Sequence, residues 1–407
     1  MALNIPALLT AVAVLCSTFA YGNTIKPLPY GDTTKVDSAT QRDIIDVIHT
    51  IFTNKGDNSA HNKSKKINLS VVPTVGYTLS TGFAAGLSAV ATFYTQNQHT
   101  GEESIINTQG FYDSHSQQTF ITQSNIWAFN DQFKFVTDVR ATKYPDVTYG
   151  LGNSTTELKA DNIDFNYIRF YQTILKKVSK NFYAGGGYNL DYHFEITEQG
   201  NIDNSVSDFK RYGETSSSRS SGINLSLLFD NRPNPVNPIG GFYANVVYRD
   251  NYKALGSDDQ WSTIQLDIRK YFRLSKNSNN VLAFWSYTWL TLNGRQPYLD
   301  LPSVGTDTYN NTGRGYAIDR FRGKNMLYLE SEFRFGLTKN GLLGAVLFIN
   351  AESYPRSVTT DVPKLIPAAG TGIRIKINKH SNTNLCIDYG VGTDNSHGVF
   401  VNLGEVF

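Results

Sequence analysis

The chain is short of the residues on which most chemistry depends. Its 407 positions hold two cysteines, two methionines and seven histidines. Two cysteines, Cys16 and Cys386, cannot build a disulfide framework. Charge of one sign is missing too: 37 Lys and Arg face 35 Asp and Glu, a net charge of +2. That balance excludes the basic face a nucleic-acid binder needs, so no nucleic-acid partner is expected. Beyond the first two dozen residues no apolar run reaches the roughly 18 residues a membrane-spanning helix requires. The histidines (His49, His61, His99, His115, His193, His380 and His397) are scattered, with none at metal-ligand spacing. There is no Gly-x-Ser-x-Gly elbow, and Gly150-Leu151-Gly152-Asn153 lacks the later glycine of a phosphate loop. Ser396 and His397 are neighbours, but adjacent strand residues face opposite sides. No enzyme activity, metal or cofactor is expected.

The N-terminus indicates a compartment. Residues 7–20 are mostly apolar and end in Ala20-Tyr21-Gly22, so residues 1–22 read as a secretory signal peptide, although without a basic residue at its start. Leu15 is too large for the residue before a lipidated cysteine, which leaves Cys386 alone in the mature chain as a small packed residue. Residues 23–65 form a separate segment. Asp37-Ser38 looks like a capped start, and Ile44, Ile45, Val47, Ile48, Ile51 and Phe52 follow at helical spacing, which predicts a short helix over about 37–54.

What the chain has in quantity is aromatic residues and glycine: 24 Tyr, 24 Phe and 33 Gly. They sit in segments of strict alternation. Ile264, Leu266 and Ile268 fall between Thr263, Gln265, Asp267 and Arg269; Phe133, Phe135 and Val139 fall among Lys134, Asp138 and Arg140. A period of two puts each set on its own face of a strand. The polar face repeatedly carries full charges, more than a soluble sandwich could bury unpaired. An apolar exterior around a polar interior is the pattern of a transmembrane β-barrel, and the mean hydropathy of −0.32 is the average of the two. Sixteen such segments run from about 66–78 to 397–407 and include 162–175, 181–195 and 221–230. Links after even strands are mostly short, whereas 144–161, 196–220, 293–324 and 354–365, after odd strands, are long. That parity predicts an antiparallel 16-stranded outer-membrane barrel over 66–407 with both termini in the periplasm. Val399, Val401, Leu403 and Phe407 share one face of the last strand and resemble the C-terminal signal read by the outer-membrane insertion machinery.

The link after strand eleven contains Gly313-Arg314-Gly315-Tyr316 and Asp319-Arg320-Phe321-Arg322-Gly323, followed by Leu329-Glu330-Ser331-Glu332-Phe333-Arg334. With Pro73-Thr74-Val75-Gly76-Tyr77, Asp230-Asn231-Arg232, Pro238-Ile239-Gly240-Gly241, Asp388-Tyr389-Gly390 and Gly404-Glu405-Val406-Phe407, these stretches resemble, in order over about residues 66–407, the BamA/TamA-type surface-antigen superfamily of outer-membrane barrels. The resemblance implies that the loop folds into the lumen and that Arg314 pairs with carboxylates on strands twelve and thirteen. Glu330 and Glu332 are the candidates on strand twelve, with Asn350 and Glu352 on strand thirteen. Asn350 stands where the family usually has Asp, so that anchor is lost or passes to Glu352. Read without the family, Arg314 could be a solvated loop charge. Insertion and secretion members carry periplasmic POTRA modules before the barrel; Asn23 to Lys65 is too short and too helical for one, and the chain therefore looks like a stand-alone barrel.

Three functions follow as expectations. The favoured one is aid to the transport or insertion of an unknown protein client at the outer membrane, in contact with its lipid. The others are a passive pore or structural barrel with Arg374, Lys376 and Asp388 in its lumen, and a surface receptor or adhesin acting through the long loops 196–220 and 293–324.

Overall fold

Alternation becomes sixteen antiparallel strands in a computed structural model, which describes residues 41–43, 67–78, 82–96, 101–114, 116–275, 278–356, 364–379 and 381–407. In chain order the strands are β1 (Ile67–Thr78), β2 (Gly82–Phe93), β3 (Ser104–Asp113), β4 (Gln118–Ala128), β5 (Phe133–Thr148), β6 (Asp161–Ser179), β7 (Phe182–Asn201) and β8 (Ser217–Asp230). The second half comprises β9 (Gly241–Asn251), β10 (Trp261–Arg273), β11 (Val281–Gly294), β12 (Met326–Gly336), β13 (Leu343–Ser353), β14 (Ile366–Asn378), β15 (Thr383–Val391) and β16 (His397–Leu403). Each pairs with its neighbour in sequence, so the sheet is one continuous meander. β16 runs beside β1, but no ladder joins the two among the described residues.

The two faces are inverted relative to a soluble protein. On β8, Leu225 and Leu227 are 59% and 48% exposed, whereas Asn224 and Ser226 between them are 2% and 4%. Only an apolar surrounding makes that arrangement favourable, because the outward leucines gain nothing from water and the inward polar groups find partners in the lumen. Four inward arginines pair with the acid two positions before them. Arg140 bonds Asp138 at 2.9 Å, Arg232 bonds Asp230 at 2.8 Å, Arg269 bonds Asp267 at 2.7 Å and Arg334 bonds Glu332 at 2.6 Å. Residues two apart on a strand share a face, so acid-x-Arg is a self-neutralising unit.

Strand ends differ from the sequence reading on β5, on β6 to β8 and at the C-terminus. β5 runs on to Thr148, which shortens the link expected over 144–161 to 149–160. β6 and β7 extend to Ser179 and Asn201, and β8 starts at Ser217, because cross-strand pairs such as Phe194↔Ser217 continue the ladder through polar residues. The link between β7 and β8 is accordingly 202–216 and contains one short helix, α1 (Asp208–Gly213). The third correction is at the C-terminus. β16 stops at Leu403, and Gly404, with φ +88°, turns the last residues inward. Val399, Val401 and Leu403 stay on the outer face, as their register with Tyr389, Ile387 and Leu385 requires, but Phe407 is 2% exposed and stacks on Trp285 at 5.2 Å. Continued alternation would have aimed Glu405 outward, and the turn at Gly404 prevents it.

The segment expected as a helix over 37–54 lies outside the described residues, except for 41–43. There Arg42 N donates to Asn340 O at 3.2 Å and Lys379 N donates to Asp43 Oδ2 at 3.1 Å, both at the end of the barrel that carries the short turns.

Candidate functional site

The link between β11 and β12, residues 295–325, folds into the lumen and crosses it. At one wall, Arg140 of β5 donates to Thr308 O at 2.5 Å and to Asn310 Oδ1 at 2.9 Å, and Gln123 of β4 donates to Thr308 O. Asp307 holds this tip in shape by accepting from the backbone N–H groups of Asn311 and Thr312, both at 2.7 Å. At the opposite wall stands Arg314, 1% exposed. Its guanidinium donates to Glu330 and Glu332 of β12 and, at 2.5 Å, to Asp388 of β15. Its cationic carbon sits 3.9 Å from the centre of the Phe348 ring. A planar fork with five donors can satisfy three carboxylates and a ring face together, which an ammonium group could not.

The loop tip is pressed close to the wall. Gly315 has φ +120°, and a Cβ on it would lie 2.7 Å from Ala368 Cβ. A Cβ on Gly390 would meet Gly315 N at 2.8 Å. Glycine is required at both places because main chain approaches main chain. Tyr316, under which Gly392 lies, donates to Pro367 O at 2.6 Å and accepts from Thr393 N at 2.9 Å. Ser396 Oγ donates to Gly315 O at 2.8 Å, while the exposed His397 ring contacts Asn395 O. Gly313 faces the carboxylate of Glu352, where a Cβ would come to 2.9 Å.

The candidate anchors thus separate into two groups. Glu330 and Glu332 meet Arg314. Asn350 does so through the backbone, its Nδ2 donating to Arg314 O at 2.9 Å. Glu352 does not replace the missing aspartate: it accepts from Tyr354 OH at 3.0 Å, and its Oε1 has no hydrogen-bond partner among the described residues. Whereas the resemblance put the anchors of Arg314 on strands twelve and thirteen, the residue that takes the role is Asp388, expected in the lumen but lying on β15. Its partner Arg374 also bonds Glu405, at 2.8 Å, and Glu405 lies 3.7 Å from Arg334. Glu405 belongs to one of the stretches that carry the resemblance, but its pairing with Arg374 and Arg334 was not anticipated, although an acid in the outward phase of a terminal strand was a signal that the strand ends before it.

The long-loop end is closed over this arrangement. Phe209 of α1, Tyr298, Leu301, Ile163, Phe165 and Ile196 form one buried cluster. Arg322 donates to Tyr298 O and Leu301 O, both at 3.2 Å, and Gly152 N donates to Arg322 O at 2.8 Å. Asp300 sits in the cap, accepting from Ser220 Oγ, with His193 Nδ1 3.6 Å away. Burial and the nearby Asp191 carboxylate push the Asp300 carboxyl up to about 7. Cavities of about 270 Å³ and 140 Å³ lie against the crossing loop, the first lined by Thr308 and Asn311 and the second by Asp300 and Arg322.

No protein-family profile and no curated protein sequence matches the chain. Solved structures do. CdiB from Escherichia coli aligns with a TM-score of 0.57 at 12% identity, over 84% of this chain and 62% of that one. CdiB from Acinetobacter baumannii aligns at 0.54 and 12%, over 83% and 60%. BamA from Haemophilus ducreyi lacking POTRA domains 1–3 aligns at 0.49 and 15%, over 82% and 69%. The chain thus spans about three fifths of the CdiB chains. At these identities the likeness to CdiB is one of fold.

Proposed function

We propose that this chain, a barrel of the BamA/TamA type, sits in the bacterial outer membrane with both termini in the periplasm and assists the transport or insertion of a partner polypeptide. In this reading the loop 295–325 is the element that opens and closes the lumen, with Gly313-Arg314-Gly315-Tyr316 as its docking tip and Glu330, Glu332 and Asp388 as its sockets. The observation that carries the proposal is the burial of Arg314 among three carboxylates. A free-running pore has no use for a loop fastened across its lumen, and a buried charge of this kind is retained only where its partners hold it. The unladdered edge between β16 and β1 supports the same reading, because unpaired strand edges are templates for another strand. The chain acts through geometry and not through catalysis. Its further contacts are the surrounding lipid and, during its own assembly, the insertion machinery.

Vesicles carrying the purified chain test this. A urea-unfolded eight-stranded outer-membrane barrel supplied from the periplasmic side should fold faster with the chain than without it, and planar-bilayer recordings should give a low, flickering conductance. A large steady conductance with no acceleration of folding would instead make the chain a passive pore.

A further inference from the structure

Six side chains form a closed ring of alternating charge inside the lumen. Arg314 of the loop bonds Glu332, and Glu332 bonds Arg334 at 2.6 Å. Arg334 lies 3.7 Å from Glu405, Glu405 bonds Arg374 at 2.8 Å, Arg374 bonds Asp388 at 2.5 Å, and Asp388 returns to Arg314 at 2.5 Å. Three arginines and three carboxylates are supplied by the loop, β12, β14, β15 and the C-terminal tail. The wall supplies four members; the two that come from elsewhere are Arg314 from the loop and Glu405 from the tail.

Besides this ring, the tail is held by Asn384 Nδ2, which donates to Glu405 Oε1 at 2.8 Å, and by the burial of Val406 and Phe407 in the core. Glu405 N donates to Val236 O and Gly404 N to Asn384 O, both at 2.8 Å. Arg334 Nη2 donates to Phe407 O at 2.9 Å, and Asn311, from the crossing loop itself, donates to Val406 O at 2.7 Å. Two of these main-chain contacts, those of Phe407 O and Val406 O, therefore run to the ring and to the loop. The tail also continues β16, which runs beside β1 with no ladder between them among the described residues.

We propose that Glu405 and Arg314 make the tail and the crossing loop one latch, so that withdrawing either from the lumen releases the other. Removing Glu405 leaves Arg334 and Arg374 competing for the carboxylates that hold Arg314, and removing Arg314 leaves Glu332 and Asp388 free to draw those arginines away from Glu405. In a low-dielectric site an excess charge of either sign is costly, so the ring is stable whole and unstable in part. This deepens the transport reading, because it makes displacement of the C-terminal strand the event that unfastens the loop, yet its test needs no client.

Cys386 provides the readout. It points inward from β15, is 0% exposed, and its thiol lies 3.0 Å from Gly404 O, at the bend where the tail begins. A polar maleimide should modify it only when the tail leaves, with the product located by mass spectrometry of the Cys386 peptide. Full-length protein in vesicles should label slowly. Arg314→Gln and Gly315→Ala act on the loop, and both should raise the labelling rate by about ten-fold or more, the scale of one lost charge-assisted hydrogen bond. Conversely, Glu405→Gln should cost residues 304–316 their amide-exchange protection by a similar factor. Heat-modifiable gel mobility identifies the variants that remain folded. If Arg314→Gln does not fold, Gly315→Ala decides. A folded loop variant with exposed loop amides but unchanged Cys386 labelling would overturn the latch. A coupled latch in a chain that accelerates no folding would overturn only the transport reading.

Discussion

Arg314 and Asp388 are 74 positions apart in the chain and 2.5 Å apart in the lumen. The contact joins the tip of the crossing loop to the fifteenth strand, and its value lies in the burial of both partners, 1% and 0% exposed. Arg314→Ala should destabilise the docked loop by about 3–5 kcal/mol, the cost of leaving buried carboxylates without their cation. The effect would appear as a large rise in single-channel conductance. Arg314→Lys should behave nearly as badly, because an ammonium group cannot reach three acceptors in a plane.

Asp388 and Glu352 should respond in opposite ways. Asp388→Asn removes a carboxylate shared by two arginines and should cost about as much as losing Arg314 itself. Glu352 has no cation, and Glu352→Gln should leave thermal unfolding unchanged or shift it upward, since an amide is cheaper to bury than a charge. Heat-modifiable mobility of the two variants side by side measures this. A Glu352→Gln protein as unstable as Asp388→Asn would mean that Glu352 is an anchor after all.

Gly315 and Gly390 predict a steric result without any change in charge. Alanine at either should push the tip off the wall and cost on the order of 1–3 kcal/mol, by backbone strain at Gly315 and by main-chain collision at Gly390. Alanine at Gly341, also at positive φ but with open space around it, should pay only for its backbone angle and leave the conductance unchanged.

Asp300 gives the cap a pH dependence. Its folded value, about 7, is raised above the ordinary 3.8, so the docked cap binds a proton that the released cap gives up. Docking is therefore weakened as pH rises from about 4 through 7, is fully weakened above about 7, and is strengthened as pH falls back through that window. Amide-exchange protection of residues 298–304 should follow that curve between pH 5 and 8. In Asp300→Asn the dependence should flatten.

The strands were legible in the sequence because alternation is a local rule, which fixes the face of β5 or β10 that carries charge. The lumenal loop was legible only through the resemblance of Gly313-Arg314-Gly315-Tyr316 to a family motif, since its residues alone left Arg314 open as a solvated charge. Two of the three sockets, Glu330 and Glu332, follow on the next strand. The pairings of Asp388 and Glu405 were hidden for a different reason. Their partners are chosen by tertiary packing, and no spacing in the chain brings position 314 near 388 or position 405 near 334. The inward turn of the tail was misread because Val399, Val401 and Leu403 keep perfect phase, and one glycine is a small mark against a continuing pattern.

The acid-x-Arg pairs of β5, β10 and β12, and the one at the end of β8, have a consequence for the order in which the molecule is built. Each of those arginines carries its own counter-ion two residues away and can be delivered to a bilayer already paired, whatever the state of its neighbours. Arg314 carries none. Until β12 and β15 are both in place it is a bare cation on a long tether, so the barrel wall must precede the loop, and the seating of that one side chain marks the moment at which construction is complete.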